Sequence, residues 1–488
     1  MHFVAALDRV PGMRCVLALF EGVATGAADG YARMTDRPAA TLLHCGPGLA
    51  NGLAHLHNAR RARVPMVNIV GDLPVSHREL GPPLTMDIES LARSVSNWTK
   101  TVTQAEDVGA VAASAVQSAR VGAGSISTLI LPSDTCWGGD GREHGALDVA
   151  APGRVDRLAV AAIAKVLRSG EPVVLMLGNR ALRREALSHA QRVADATGAR
   201  LFGETFNTRV TRGADQPPVA RMPYGVAEAL EALAGVKHVV LVGAAAPVSF
   251  FAYPGRPGRL YPPDAAVHTL SGADQDCEEA LAALAAELKC DRAQRSRALN
   301  SDRPEPARGV PGPSTLGRSL AALLPEGAVV IDEGVTYATA MFNSTFSARP
   351  HDWLQPGGGA IGDGMPMATG AAIGAPGRRI VSLEADGSAM YGIQSLWTQA
   401  RENLDVTTVV LANRKYAILM HELEKVGAKA GATAKNMLDI GNPNIDFVAM
   451  ARGMGVDGVR VETMEEFNDV FVAANSRKGP FLIELLVE

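Results

Sequence analysis

Two runs decide the fold: Ile380-Val-Ser-Leu-Glu-Ala-Asp-Gly-Ser388, and Val406-Thr-Thr-Val-Val-Leu-Ala-Asn-Arg-Lys415. Each is an apolar strand with a polar tip, Asp386 on the first and Asn413 on the second. Between the tips the pattern Ile393, Leu396, Trp397, Ala400, Leu404 predicts one amphipathic helix. Strand, helix and parallel strand put both tips on one edge of a sheet, the edge where open α/β sheets bind ligands. Two hard oxygen donors beside a helix N-terminus suit a magnesium ion and a diphosphate. Asp386 and Asn413 are therefore expected metal ligands, with the backbone carbonyl of Lys415 as a third. Gly387 lets the chain turn close to the ligand, and Ser388 faces the diphosphate. Asp-Gly-Ser alone would read equally well as an ordinary helix cap. Asn413 at the neighbouring strand end favours the metal.

Outward from that pair, the chain alternates Val/Ile/Leu-rich strands with helical patterns, which predicts parallel, doubly wound α/β sheets. Low aromatic content and abundant Ala, Gly and Val agree with this class. Two linker-like stretches, about Trp137–Asp156 and Arg292–Ser314, divide 488 residues into three blocks: 1–140, 155–290 and 312–488. Expected strands are Arg14–Phe20, Ala39–Leu43, Met66–Val70 and Ser127–Leu131 in the first block. The second has Pro172–Leu177, His238–Val242 and Val267–Leu270. The third has Ala328–Ile331, Arg379–Leu383, Val406–Leu411 and Pro480–Leu486.

A net charge of −4 without one-sign blocks gives no support for nucleic-acid or membrane-surface binding. No apolar run reaches membrane-spanning length, and the N-terminus does not read as a secretory signal. Five scattered cysteines form no Cys-x-x-Cys pair. A cytoplasmic, reduced protein is expected.

Three further motifs carry chemistry. The segment Gly357-Gly-Gly-Ala-Ile-Gly-Asp-Gly364 contains Gly-x-Gly-x-x-Gly, with Glu384 downstream as a candidate ribose acid. The preceding Arg-Pro-His-Asp-Trp-Leu-Gln-Pro does not read as a strand, so a nicotinamide site fails its context test. A loop packed tightly on a flat ligand is expected instead. Glu21 follows the apolar run ending at Phe20 and opens a helix of small residues; it is a candidate catalytic acid or a dipole-favoured helix start. His44 ends a strand beside Cys-Gly-Pro-Gly; it is a candidate proton carrier facing substrate or a structural histidine.

Together these motifs resemble the thiamine-diphosphate-dependent enzymes of the acetolactate synthase, pyruvate decarboxylase and benzoylformate decarboxylase group, over nearly the whole chain. The nearest resemblance is to bacterial acetolactate-synthase-type large subunits. It implies a pyrimidine-binding domain, a central domain and a diphosphate-binding domain, in that order. Asp386-Gly387-Ser388 through Asn413 matches the family's metal–diphosphate signature, although Ala385 and Ala412 depart from its usual Gly and Asn. By the same resemblance, Glu21 is the glutamate that activates the cofactor through a pyrimidine nitrogen, kept protonated by burial. Ile361, flanked by Gly359 and Ala360, holds the cofactor bent, and Val335 and Thr336 contact the diphosphate. His44 matches a catalytic histidine of benzoylformate decarboxylase. Leu419 and Met420 face substrate, whereas His421 reads as a surface residue.

The implied reaction is thiamine-diphosphate- and magnesium-dependent decarboxylation of a 2-keto acid, followed by ligation to a second carbonyl. The alternatives are release of an aldehyde and a non-catalytic regulatory subunit. Tyr416–Glu424 lacks the Gln-Trp pair of acetolactate synthases, so pyruvate is not assumed and FAD is not favoured. The turns Leu177-Gly178-Asn179 and Val242-Gly243-Ala244 are candidate nucleotide contacts. A homodimer or homotetramer with the active site across subunits is expected. Relatives carry a helix and strand before the position where this chain begins, and a mis-assigned start is the favoured explanation.

Overall fold

The computed structural model describes residues 2–137, 141–290 and 302–488. The part of the second linker that runs through 301 lies outside the described residues. Three sheets organise the chain. In the first, β1 (Ala39–His44), β2 (Met66–Asp72), β3 (Trp98–Thr101) and β4 (Ile126–Pro132) pair in the order β1-β2-β4-β3, all parallel. The second holds β5 (Val173–Leu177), β6 (Arg200–Gly203), β8 (Ala220–Arg221), β9 (His238–Val242) and β10 (Ala266–Ser271), ordered β10-β9-β5-β6-β8 and again parallel.

The third sheet is built from β11 (Val329–Glu333), β12 (His351–Leu354), β13 (Ile380–Ala385), β14 (Val406–Ala412), β15 (Asp457–Val461) and β16 (Phe481–Leu486). A short strand from the central block, β7 (Val210–Arg212), adds to its edge, giving β15-β16-β14-β13-β11-β12-β7. Only the β12–β7 pairing is antiparallel. Strands β13 and β14 are buried along nearly their whole length, which explains their unbroken apolar character: helices cover both faces.

Three expectations need correction. Arg14–Phe20 forms no strand among the described residues. It runs alongside the third block instead, with Arg14 paired to Glu402 at 2.8 Å and the Leu17 carbonyl accepting from Thr398 Oγ1. Leu17 and Leu19 are more than half exposed, since no neighbouring strand covers the run. The helix expected after Asp386 is two, Asp386–Gly392 and Ser395–Arg401. The break coincides with Gly392, where a Cβ would stand 2.6 Å from the Gly362 carbonyl oxygen. Finally, His351–Leu354, before the glycine segment, is a strand, and all four of its residues are buried. Its charge disguises it: Asp352 is neutralised inside by Arg378 at 2.7 Å and Arg209 at 3.0 Å.

The blocks interlock through glycine-lined helix packing. The helices Glu21–Thr35 and Gly364–Gly374 approach so closely that a Cβ at Gly30 would overlap the Met367 carbonyl, and one at Gly370 the Ala27 carbonyl. Arg33 is the polar pin of this junction. Buried with Asp29, it donates to both carboxylate oxygens at 2.6 Å, and also to the carbonyls of Gln355 at 2.6 Å and Thr208 at 3.0 Å. One guanidinium thus ties together segments of all three blocks.

Candidate active site

The carboxyl ends of β11, β13 and β14 form one edge, since Glu333 is in register with Glu384, and Ala385 with Leu411. Val335 and Thr336 emerge from β11, Asp386–Ser388 from β13, and Asn413–Lys415 from β14. Asp386 is 3% exposed, and its two oxygens accept one backbone N–H each, from Gly387 at 2.8 Å and Arg414 at 2.6 Å. The second bond links the two strand tips. Burial raises the Asp386 carboxyl above the usual range, against the pull of those backbone donors. Asn413 Oδ1 accepts from the Lys415 N–H at 3.1 Å, and the loop turns through Arg414 at φ +59°. Val335 also takes a left-handed conformation, φ +48°. For a β-branched residue that is strained backbone, of a kind that clusters at ligand-binding turns.

The glycine loop is held against this edge from below. Glu333 Oε1 accepts from Gly362 N–H and Oε2 from Gly364 N–H, both at 2.5 Å. A dinucleotide phosphate would need those same donors at the start of the Gly364 helix, and they are taken. Glu384 is 1% exposed and faces Ser382, Glu333 and Gly364, so it cannot reach a ribose. The nicotinamide reading fails on these grounds, not for want of a preceding strand.

From the side, Asn58 donates to the Ala360 carbonyl at 2.8 Å and to Asp363 at 3.0 Å, and accepts from the Ala360 N–H at 3.0 Å. Ile361 is left 37% exposed at the crest of the loop. Gly359, at φ +77°, lies against the Phe250 ring. The Tyr416 ring lies over Gly387, where a Cβ would stand 2.5 Å from it. Leu419 and Met420 follow on the helix Ala417–Lys425; Leu419 is exposed, and His421 is also exposed.

Glu21 and His44 form a second group, on the first block. Glu21 is the first residue of its helix, half-buried, and accepts from Asn51 Nδ2 at 3.0 Å. His44 ends β1 and is exposed, with Nδ1 3.9 Å from Cys45 Sγ. They meet around Gly48, whose Cβ would stand 3.4 Å from Glu21 Oε1 and 3.7 Å from His44 Cβ. Among the described residues, no hydrogen bond joins Glu21 or His44 to Asp386 or Asn413 within one chain.

The chain matches the thiamine pyrophosphate enzyme N-terminal TPP binding domain over residues 1–106, and the C-terminal TPP binding domain over residues 334–485. It is 50% identical to the Mycobacterium tuberculosis protein named "Putative acetolactate synthase large subunit IlvX", over 100% of this chain and 94% of that one. The chain belongs to the thiamine pyrophosphate enzyme family. Benzoylformate decarboxylase of Pseudomonas aeruginosa is 27% identical, over 97% of this chain and 91% of that protein. A solved Rhodococcus jostii thiamine diphosphate-dependent 4-hydroxybenzoylformate decarboxylase shares the fold, with a TM-score of 0.87 at 24% identity, covering 100% of this chain and 94% of that one. This protein is thus a thiamine-pyrophosphate-dependent enzyme of the acetolactate synthase and benzoylformate decarboxylase family.

Several residues that bond to the expected site segments gave no clear signal in the sequence. Asn51 and Asn58 gave no signal, because their partners lie 30 and 302 residues away. Glu333 had one: it ends the run Val329-Val-Ile-Asp-Glu333 just before Val335, as Glu384 ends the next strand. In the central block, the turns at Gly178 and Gly243 lie together, Gly178 N–H donating to the Val242 carbonyl at 3.0 Å. Asn179 and Gly243 line a cavity of about 170 Å³ with Arg180 and Arg183, smaller than the several hundred Å³ that an organic ligand site spans. No helix among the described residues is long and apolar enough to cross a membrane.

Proposed function

We propose that the chain decarboxylates a 2-keto acid with thiamine diphosphate and magnesium, and ligates the product to a second carbonyl. The observation that carries this is the pairing of tips, with Asp386 Oδ2 accepting from the backbone next to Asn413 at 2.6 Å. The donor set fits a small hard cation: a carboxylate, an amide oxygen and a backbone carbonyl at Lys415, all oxygen. Among the described residues no three His, Cys, Asp or Glu side chains gather as a metal cluster. A site made of one carboxylate and neutral oxygens does not require such a cluster. Asp386 is buried and its carboxyl is held above the usual range by that burial, and a cation there would offset the cost of burying the charge.

When bound, the cofactor supplies the electron sink for loss of carbon dioxide. The chain's own residues do the rest. Asp386 and Asn413 hold the metal, and Gly387, Ser388, Val335 and Thr336 seat the diphosphate. Ile361, fixed by the bonds of Asn58 and Glu333 to its loop, would pack against the bound cofactor. Glu21 hydrogen-bonds the pyrimidine, positioned by Asn51. Two copies of the chain supply the two halves of the site: among the described residues, no hydrogen bond joins Glu21 to Asp386 or Asn413 within one chain. The exposure of Glu21 in one chain is then relieved by the second. His44 moves protons at the product stage.

A second reading, decarboxylation to a free aldehyde, is favoured by His44. An imidazole on the Glu21 side of the site can protonate the product before a second carbonyl arrives. Incubation with 2-keto acids, thiamine diphosphate and magnesium, followed by product identification, separates the two. Hydroxyketone supports ligation and aldehyde alone supports the second reading. No carbon dioxide from any 2-keto acid would contradict both.

A further inference from the structure

The central sheet carries a histidine pair at the end opposite the turns of Gly178 and Gly243. His238 opens β9 and is in register with Ala266 of β10. His268 is two residues further along β10, so both side chains stand on the same face. The ring centroids are 5.2 Å apart, and His238 Nδ1 is 3.1 Å from His268 Nε2. On the other side of His238, Nε2 lies 2.8 Å from Glu171 Oε2. Glu171 stands two residues before β5, the other neighbour of β9. A carboxylate only accepts, so the neutral His238 ring donates from Nε2, and Nδ1 keeps its lone pair on the side of His268. Both rings are half-buried, and Lys237 beside them is paired with Asp264 at 2.6 Å. Glu171 therefore carries the remaining negative charge of this group.

We propose that His238 and His268 form a binding site for a divalent transition-metal ion of the zinc type, with Glu171 as its positioning residue. Zinc binds imidazole at about 2.0–2.1 Å in tetrahedral geometry, which sets two coordinated nitrogens about 3.3 Å apart. The 3.1 Å between His238 Nδ1 and His268 Nε2 is close to that separation. A metal-bound histidine usually passes its other N–H to a carboxylate, which fixes the tautomer and raises the basicity of the ligating nitrogen. Glu171 does this for His238. An ion between the rings takes one lone pair from each, and the His268 ring proton moves from Nε2 to Nδ1, so the pair stays neutral. Water completes the coordination, since no three His, Cys, Asp or Glu side chains gather as a cluster among the described residues. Imidazole suits zinc, copper and nickel, whereas magnesium prefers oxygen, so this site and the strand tips of the third block select different ions. The ion would clip β10, the edge strand of its sheet, to β9. The site stands apart from the cofactor reading above and does not rest on it.

The test uses untagged protein loaded with thiamine diphosphate and excess magnesium, titrated with zinc by calorimetry. The wild type takes up one zinc per chain, and amide exchange over β10 slows as it does. His238→Gln and His268→Gln each lose that uptake and keep thiamine diphosphate binding, which shows that they fold. Glu171→Gln, which leaves both imidazoles in place, weakens the uptake roughly 10- to 100-fold. With copper in place of zinc, the electron paramagnetic resonance spectrum of the wild type shows coupling to two imidazole nitrogens. A wild type that takes up no zinc would overturn the proposal and leave the pair as a plain hydrogen bond. Zinc uptake that survives His268→Gln, uptake that vanishes only with Asp386→Ala, or a copper spectrum without two nitrogens would overturn it as well.

Discussion

Glu333 and Glu384 face the same side of neighbouring parallel strands at registered positions, both almost wholly buried beneath the glycine loop. Glu333 carries the two loop N–H bonds. Glu384 Oε2 has no hydrogen-bond partner among the described residues. Burial pushes the Glu333 carboxyl up to about 8, and burial together with the Glu333 charge holds Glu384 well above the ordinary carboxylate range. Two carboxyl groups so placed titrate as a coupled pair.

A pH dependence follows. A carboxyl whose folded pKa is raised stabilises most below its unfolded value, near 4.5, and loses that contribution as pH rises through about 8. Thermal unfolding followed from pH 5 to pH 8.5 should therefore show Tm falling across this window. Glu384→Gln keeps a donor facing Glu333 and removes one of the coupled protons, so its Tm should fall less steeply. A variant with the wild-type slope would contradict the coupling of the two carboxyls.

Arg33→Ala leaves Asp29 buried and unpaired and frees the carbonyls of Gln355 and Thr208. Removing one partner of a buried pair costs about 3–5 kcal/mol. Denaturant or thermal unfolding should show a loss of that size, and a change under about 1 kcal/mol would contradict the role given to Arg33.

Asn58→Ala deletes three side-chain hydrogen bonds that fix the loop at Ala360 and Asp363. Each is worth about 0.5–1.5 kcal/mol. Thiamine diphosphate affinity, read by fluorescence titration, should fall roughly tenfold or more. Unchanged affinity would show that the loop needs no anchor on the first block.

Glu21→Gln should retain cofactor binding while slowing hydrogen–deuterium exchange at the cofactor's thiazolium C2 by two or more orders of magnitude, about the worth of a positioned acid–base group. Wild-type exchange in the variant would remove Glu21 from catalysis.

How much of this was legible depended on where each residue's partners lie. β13 and β14 are apolar because helices cover both faces, so composition alone marked them, and their polar tips marked the edge. The strand β12 hid because its Asp352 is neutralised by Arg209 and Arg378, which lie 143 and 26 residues away in the chain. Arg14–Phe20 misled in the opposite sense: apolar residues do not make a strand without a neighbour to pair with. The three residues of β7 are too short for any periodicity, and they join a sheet more than a hundred residues downstream. Glu21 and His44 were found singly, but their meeting around Gly48 belongs to packing. Phe250 had no motif at all, since its packing on the loop depends on Gly359 having no side chain.

The most direct test of the account is magnesium-dependent binding of thiamine diphosphate to the wild type, Asp386→Ala and Asn413→Ala, followed by fluorescence quenching across a magnesium titration. Wild type should bind the cofactor only as magnesium is added. Asp386→Ala should lose that dependence together with the binding, and Asn413→Ala should need far more magnesium. Superimposable titration curves for all three proteins would contradict the assignment of these two strand tips as the metal site.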